Sequence, residues 1–508
     1  MRHLHYARRG AAGTGRGDDS PRTLTHVTGR RPRLVSAAAG DALAAALSAL
    51  RQELDLPDGF DPAVMAEAEA AGRDVSITPA EDLADLRDIE FLTIDPDGSR
   101  DLDQALHLQR TPTGGILHYA IADVPAFVAP EGQVDAAARA RGETLYAVDG
   151  TIPLHPRVLS EGAASLFPGQ DRRAFVWRFE LDERAEPVRV TLTRALMRSR
   201  RQWTYAEAQK AVDEKSGPES LTALPWFGAE RAKREQERGG ASLNSPEIEV
   251  EVTGGRYELT RRATLPIEDW NAQVSLLTGM AAAKIMLDAG VGILRTMPAA
   301  DADDIATFRA QTMALGDPWP EGVGYGEYLR GLRGDDPKTL AIRAAATRLF
   351  RGAGYTAFDG APPADTLQSA IAAPYAHTTA PLRRLVDRWS LVVCEAAANG
   401  REVPQWARES LPELPKIMGR SNGLAGRLDS ASIDRVEAAV LHGHEGRRFA
   451  GVVLGRRNGG MRVQLSGPLV TVVVAGLQAE SGSTVELQLQ RADIATGEIV
   501  VVPAGGQA

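Results

Sequence analysis

Apolar residues recur at helical spacing from Asp41 to Leu54 and again from Asp61 to Ala71, where Asp61-Pro62 pairs a capping residue with a first-turn proline. The period then changes. Phe91, Leu92, Thr93 and Ile94 form a short β-prone run, a polar loop interrupts it, and Ala105 to Leu108 resume a strand. His118 to Phe127 (HYAIADVPAF) reads as a buried strand with an amphipathic helix, Val134 to Arg141, behind it. Asn271 to Met286, Trp389 to Ala398 and Trp406 to Leu441 carry helical patterns. From about Gly443 the apolar period becomes two: Arg447 to Leu454, Met461 to Leu465, Leu469 to Val474, Thr484 to Gln490 and Glu498 to Val502. Five short strands separated by glycine turns predict an OB-type barrel. The chain as a whole predicts an α+β fold with an all-β C-terminal domain, behind a small helical lead-in.

Length and composition refine this picture. A chain of 508 residues with 43% hydrophobic content suffices for two or three domains with a large core. Residues 1–32 are rich in Arg, Gly, Ser and Thr without apolar period, which predicts a flexible basic tail. No stretch approaches the roughly 20 apolar residues of a membrane span, and MRHLHYARRG lacks a secretory core, so a cytoplasmic protein without membrane association is expected. The single cysteine, Cys394, lies in an apolar run and reads as a buried, chemically idle thiol. A net charge of −9 argues mildly against a general nucleic-acid binder. Basic clusters at Arg194 to Arg201, Arg231 to Arg238 and Arg383 to Arg388 are nevertheless candidates for phosphate contact, each with a solvated surface as the plainer reading.

The candidate chemistry centres on FLTIDPDGSRDLDQA, where Asp95, Asp97, Asp101 and Asp103 fall within nine residues between two strands. An Asp-rich turn is ordinarily solvated turn chemistry. Carboxylates suspended between buried strands instead repel one another unless a cation joins them. All-oxygen donors suit hard cations. A calcium hand does not fit: counted from Asp95, the glycine is fourth instead of sixth, and the twelfth residue is Leu106 instead of Glu. A catalytic Mg²⁺ site remains.

The pattern T-I-D-x-x-x-x-x-D-x-D-x-A at Thr93 to Ala105 resembles the signature of the ribonuclease II and R (RNB) family of 3′→5′ exoribonucleases. RGETLYAVDGTIPLHP at Arg141 to Pro156, the SEGAASLFP that follows, and YAHTTAPLRRLVDRW at Tyr375 to Trp389 resemble further family motifs in the family's order. The resemblance implies an RNB catalytic domain, 88–442, after a helical segment, 33–87, and before a ribosomal-protein-type barrel, 443–508. Strands for the cold-shock barrels that often precede the family's catalytic domain are not expected.

It also implies site roles. Asp95, Asp101, Asp103 and Gln104 fall on the four acidic metal positions, with an amide replacing the last carboxylate. Tyr146 matches a tyrosine that clamps the RNA, and Tyr205 one that contacts the sugar near the scissile phosphate. Leu243 stands where an aromatic usually stacks on the terminal base, and Gln273 where a glutamate reads the 2′-hydroxyl. Arg383 is expected on the phosphate beside the scissile bond, and Arg384 on Asp387 or a site carboxylate. His377 reads as a structural residue. The implied activity is Mg²⁺-dependent (or Mn²⁺-dependent) degradation of single-stranded RNA from the 3′ end to 5′-nucleoside monophosphates, by a monomer, with Asp101, Asp103 and Arg383 catalytic. Gln104 and Leu243 raise a rival, an RNB-like scaffold that binds RNA without cutting it, and a protein-interaction role is a third reading.

Overall fold

The computed structural model describes residues 37–75, 83–243, 247–253, 256–262, 264–457 and 459–505. The residues 1–32, expected as a basic tail, lie outside them. The chain divides into two compact units: Asp55–Ser245 with Ala263–Leu428, and Met1–Leu54 with Pro246–Arg262 and Asp429–Ala508. In chain order α1 (Ala37–Glu53) belongs to the smaller unit and α2 (Pro62–Asp74) to the larger. Helix α2 begins at Pro62 as the sequence predicts, although the Asp61 carboxylate makes no capping bond.

The larger unit is built on a six-stranded sheet in the order β1-β8-β2-β3-β4-β7. Its strands are β1 (Ala84–Asp85), β2 (Phe91–Asp95), β3 (Gln104–Thr111), β4 (Gly114–Ala122), β7 (Asp171–Asp182) and β8 (Pro187–Thr204). β7 also pairs with β8, so the sheet closes on itself. Between β4 and β7 lie α3 (Gln133–Arg141) and a small hairpin, β5 (Leu145–Ala147) and β6 (Gly150–Ile152). β4 ends at Ala122, five residues short of the strand expected through Phe127, because Pro125 has no amide for a ladder and a 3₁₀ turn, Val124–Ala126, takes over.

Both faces of the sheet are covered, which explains why its strands read as nearly continuous apolar runs. Side chains of alternate strand residues enter different cores. Leu92, Ile94, Leu106, Leu108, Tyr119, Phe175 and Trp177 join one cluster, with Phe227 and Leu277 from later in the chain. Phe91, Ala105, Ala120, Ala122, Ala174 and Val176 join another, under Val64 and Ala68 of α2. Burying each such large apolar side chain contributes about 1.5–3 kcal/mol.

The helices beyond the sheet are α4 (Tyr205–Asp213), α5 (Glu219–Arg238) and α6 (Pro266–Ala289). β11 (Val291–Thr296) pairs with β12 (Gly354–Asp359), and between them α7 (Ala302–Ala314), α8 (Tyr325–Gly331) and α9 (Pro337–Ala346) enclose their own aromatic cluster around Phe308 and Trp319. α10 (Leu385–Ala398) starts directly after Arg384. It buries Cys394 completely, and burial pushes that thiol far up, as expected of an idle residue.

The helix Leu414–Leu441 begins in the larger unit and continues into the smaller. There the strands Arg448–Arg457, Gly460–Leu465, Thr471–Ala475, Thr484–Asp493 and Glu498–Pro503 form one antiparallel five-stranded sheet, with the first strand central and flanked by the second and fourth. These are the five period-two runs of the sequence. The same unit holds a hairpin, β9 (Glu247–Thr253) with β10 (Arg256–Arg262), which pairs in register. Among the described residues no helix is long and apolar enough to cross a membrane.

Candidate active site

Asp95 ends β2, which runs parallel to β8 in a register that pairs Asp95 with Thr204. The next residue, Tyr205, opens α4 behind a capping box in which Thr204 and Glu207 satisfy each other's backbone amides. The strand pairing thus brings Asp95 and Tyr205 together across about 110 residues of sequence. The Tyr205 hydroxyl is pushed up to about 12, by burial first and then by the Asp95 and Glu268 charges, and it hydrogen-bonds the Asn271 side chain.

The acidic loop between β2 and β3 is tied down from outside. Gly98 turns it with φ +79°, a conformation that favours glycine. Ser165, from the SEGAASLFP stretch, donates its hydroxyl to the Arg100 carbonyl at 2.6 Å and accepts the Leu102 amide at 3.0 Å. Leu166 adds an amide to the Leu102 carbonyl at 3.0 Å, and Ala122 one to the Asp103 carbonyl at 2.9 Å. That motif therefore serves as the anchor of the aspartate loop.

Asp103 is 1% exposed, and its two carboxylate oxygens face the segment before α10. The Leu382 amide donates to Oδ1 at 2.7 Å and the Arg383 Nε to Oδ2 at 2.6 Å. Burial, opposed by Arg383 and reinforced by Asp101, lifts the Asp103 carboxyl to about 7. Asp95 is lifted to about 6 for the same principal reason, and its Oδ2 is buried with no hydrogen-bond partner among the described residues. Burial alone would lower the Arg383 guanidinium, but Tyr146, Asp103 and Asp101 hold it well above its ordinary range. Asp97, the remaining carboxylate of the loop, is exposed.

Arg383 is placed by its own backbone. Its carbonyl accepts the Thr144 amide at 2.8 Å, and the Leu385 amide reaches the Gly142 carbonyl at 3.0 Å, so the RGET stretch lies along the arginine pair. Two residues on, Tyr146 in β5 is 40% exposed and hydrogen-bonds Arg383. Arg384 is committed to Asp387 by two bonds, Nε to Oδ2 at 3.0 Å and Nη2 to Oδ1 at 2.8 Å. Asp387 also accepts the Ala380 amide at 2.6 Å, which folds the segment back on the helix start. Gln104, the first residue of β3, donates its side-chain amide to the Thr379 carbonyl of that segment. His377 bonds the Tyr355 hydroxyl through Nδ1 at 2.8 Å, and burial holds its ring well below the ordinary histidine range, hence neutral.

Two expected RNA-contacting positions lie in other company. Leu243 packs against the aromatic cluster around Phe308 and Trp319. Gln273 donates Nε2 to Glu235 of α5 at 2.8 Å. On the side of α6 away from Gln273, Asn271 meets Tyr205, and Ser275 bonds the Tyr119 hydroxyl at 2.8 Å. Sequence reading passed over both; their i, i+4 spacing on a helix facing two tyrosines was the available signal. Several basic residues proposed for phosphates are used internally. Arg231 is buried against the Ala185 carbonyl and Glu186, Arg194 pairs with fully buried Asp123 at 2.6 Å, and Arg198 with Asp171 at 2.5 Å.

Among the described residues no three His, Cys, Asp or Glu side chains are grouped closely enough to hold a metal ion as they stand. The donor chemistry still fits a hard cation: Asp95 has an orphaned buried oxygen, Asp101 raises both Asp95 and Asp103, and the Arg383 guanidinium supplies the only positive charge that the Asp103 carboxylate touches among the described residues.

Residues 83–394 match the RNB domain, and residues 447–504 the RNase II-type exonuclease C-terminal S1 domain. The chain belongs to the RNB family. Its relatives include the exosome complex exonuclease dis3 of Schizosaccharomyces pombe, 27% identical over an alignment of 402 residues that covers 74% of this chain and 40% of that protein. This RNB chain thus spans about two fifths of the length of that relative. The fold is that of RNase R from Mycoplasma genitalium, solved with ribose-methylated single-stranded RNA: TM-score 0.82 at 17% identity, covering 91% of this chain and 78% of that one. Yeast Ssd1, a pseudonuclease, shares the RNB fold at TM-score 0.60 and 15% identity over 80% of this chain and 53% of that one. The α+β RNB domain followed by an all-β S1 domain is therefore as the sequence implied.

Proposed function

We propose that the protein is a hydrolytic 3′→5′ exoribonuclease that acts on single-stranded RNA and releases 5′-nucleoside monophosphates with a divalent cation, Mg²⁺ or Mn²⁺. The observation that carries this reading is the convergence of Asp95, Asp101 and Asp103 with Arg383 across some 280 residues of sequence, in a chain of a nuclease family. A bound divalent cation would supply Lewis-acid activation of water and charge neutralisation at the scissile phosphate. Asp95 and Asp101 would hold it, joined by Asp103 once Arg383 turns to the phosphate. Arg383 then balances the charge that develops on the phosphoryl oxygens in an in-line displacement. Exposed Tyr146 offers a face on which a base can stack, tolerant of sequence. Tyr205, its hydroxyl oriented by Asn271, is placed to bond a ribose 2′-hydroxyl beside Asp95. Arg384 acts through Asp387, shaping the segment that carries Arg383. The protein is proposed to work as a cytoplasmic monomer.

A second reading is favoured by one feature of the site: its metal positions include a neutral Gln104 whose amide is spent on Thr379. An RNB chain so equipped that grips RNA without cutting is the alternative. Purified protein with a 5′-labelled single-stranded RNA, in Mg²⁺, Mn²⁺ or EDTA, separates the two. A ladder shortening from the 3′ end with metal alone supports the nuclease; binding without shortening supports the scaffold.

A further inference from the structure

We propose that Gln104 is a positioning residue: its amide N–H, donated to the Thr379 carbonyl, clasps the 379–383 segment onto β3 and sets Leu382 and Arg383 against Asp103. This deepens the nuclease reading, which it needs for the role of Arg383 though not for the clasp itself.

The two sides of the contact are unequal. On one side the backbone of 103 and 104 is fixed by the sheet, with Gln104 paired to Ile121 and the Asp103 carbonyl accepting the Ala122 amide. On the other, the 379–383 segment is not a helix or strand. Its outer side is tied to Asp387 through the Ala380 amide and to Thr144 through the Arg383 carbonyl. Toward the carboxylates it makes three bonds among the described residues: Leu382 to Asp103, Arg383 to Asp103, and Gln104 to Thr379. Two of those three end on Asp103, a group that the proposed chemistry requires to let go of Arg383. The third does not change with the state of Asp103. It keeps the segment in register while the guanidinium moves from carboxylate to phosphate.

The residue type follows from this geometry. A backbone carbonyl accepts and cannot donate, so the side chain facing it must be a donor. Glutamine meets that need at the length of two methylenes. Aspartate would be shorter by one methylene and, ionised, would set oxygen against oxygen in a place where Thr379 is 4% exposed. The neutral amide at this position thus exchanges one unit of negative charge for a fixed loop. It is not simply a weakened ligand.

The test compares the metal-free wild-type protein with Gln104→Glu and Gln104→Met by hydrogen exchange read by mass spectrometry. Both variants keep the side-chain length and remove the donor. Protection of the Ala380–Leu385 amides is expected to fall roughly tenfold or more at neutral pH in both, while β3 and β4 stay as protected as in the wild type. Unchanged protection in the Met variant, which cannot donate at any pH, overturns the clasp. A Mn²⁺ titration adds a second arm: tighter metal binding by Gln104→Glu with unaltered loop protection makes Gln104 a ligand and also overturns it. None of these readouts uses RNA or turnover, so they stand even if the protein proves not to cut. If it cuts, the Met variant should lose kcat about tenfold with KM within about twofold, because a misplaced Arg383 affects the transition state more than the grip on the strand.

Discussion

Arg383 and Asp103 meet through Nε and Oδ2 at 2.6 Å, the guanidinium side chain 38% exposed and the carboxylate side chain fully buried. One partner can therefore leave toward solvent or a ligand while the other cannot. This asymmetry sets what each residue is able to do, and the first predictions rest on it.

Asp103→Asn keeps the shape and, through its amide oxygen, the contact with the Leu382 amide, while it removes the charge and sets an N–H donor against Arg383 Nε. We expect cleavage to fall by at least about 10²-fold while RNA affinity stays within a few-fold, because Tyr146 and other groups grip the strand and the charge is needed only in the transition state. Single-turnover cleavage and filter binding of the same RNA measure both; a mutant that cuts at the wild-type rate would remove Asp103 from the mechanism.

Stability of the metal-free protein should depend on pH through the same residue. The folded Asp103 carboxyl lies at about 7, above the ordinary 3.8, so the folded state holds the proton more tightly than the unfolded chain does. Its contribution is then fully present below about pH 4 and is lost as pH rises through about 7, by up to about 4 kcal/mol. Relative to Asp103→Asn, the wild type in EDTA should lose stability across that window in urea unfolding at three pH values. A relative gain with rising pH would show that pairing with Arg383 outweighs burial.

Sugar choice tests Tyr205. Its hydroxyl, oriented by Asn271 next to Asp95, is expected to favour a ribose at the site, because a polar group left unpaired by its substrate discriminates strongly. Tyr205→Phe should narrow the ratio of RNA to DNA degradation by about tenfold or more. Equal rates on RNA and DNA in the wild type would refute the assignment.

Gly279 in α6 lies under the segment that leads into the Arg383 loop. A Cβ there would stand 2.1 Å from Tyr375 Cε2 and 2.7 Å from the Ala376 carbonyl, whose residue also donates its amide to the Gly279 carbonyl. In an open helix Gly→Ala stabilises by up to about 1 kcal/mol. Here Gly279→Ala should instead destabilise by about 1–3 kcal/mol, since backbone must move, and thermal unfolding followed by circular dichroism reads the sign.

Local chemistry was legible in the chain itself. The five C-terminal strands could be read from a period of two, the buried sheet strands from continuous apolar runs, and the aspartate loop from four carboxylates between two strands. Those features need only neighbours within a few residues, where spacing alone determines which face a side chain takes. What lay beyond the sequence was partnership at long range. It shows Arg383 and Gln104 as residues without showing that one meets Asp103 and the other Thr379, some 275 to 280 positions away. It offered Arg194 and Arg231 as phosphate contacts, whereas the fold turns them to Asp123, Ala185 and Glu186. Gln273 shows why: it and Asn271 lie two residues apart on one helix, about 200° around it, and only the packing of α6 against α5 and α4 decides which of them faces Glu235 and which Tyr205. A charged or amide side chain carries the same pattern in sequence whether its partner is water, phosphate or a buried carboxylate, and only the tertiary structure brings one of these within hydrogen-bond reach.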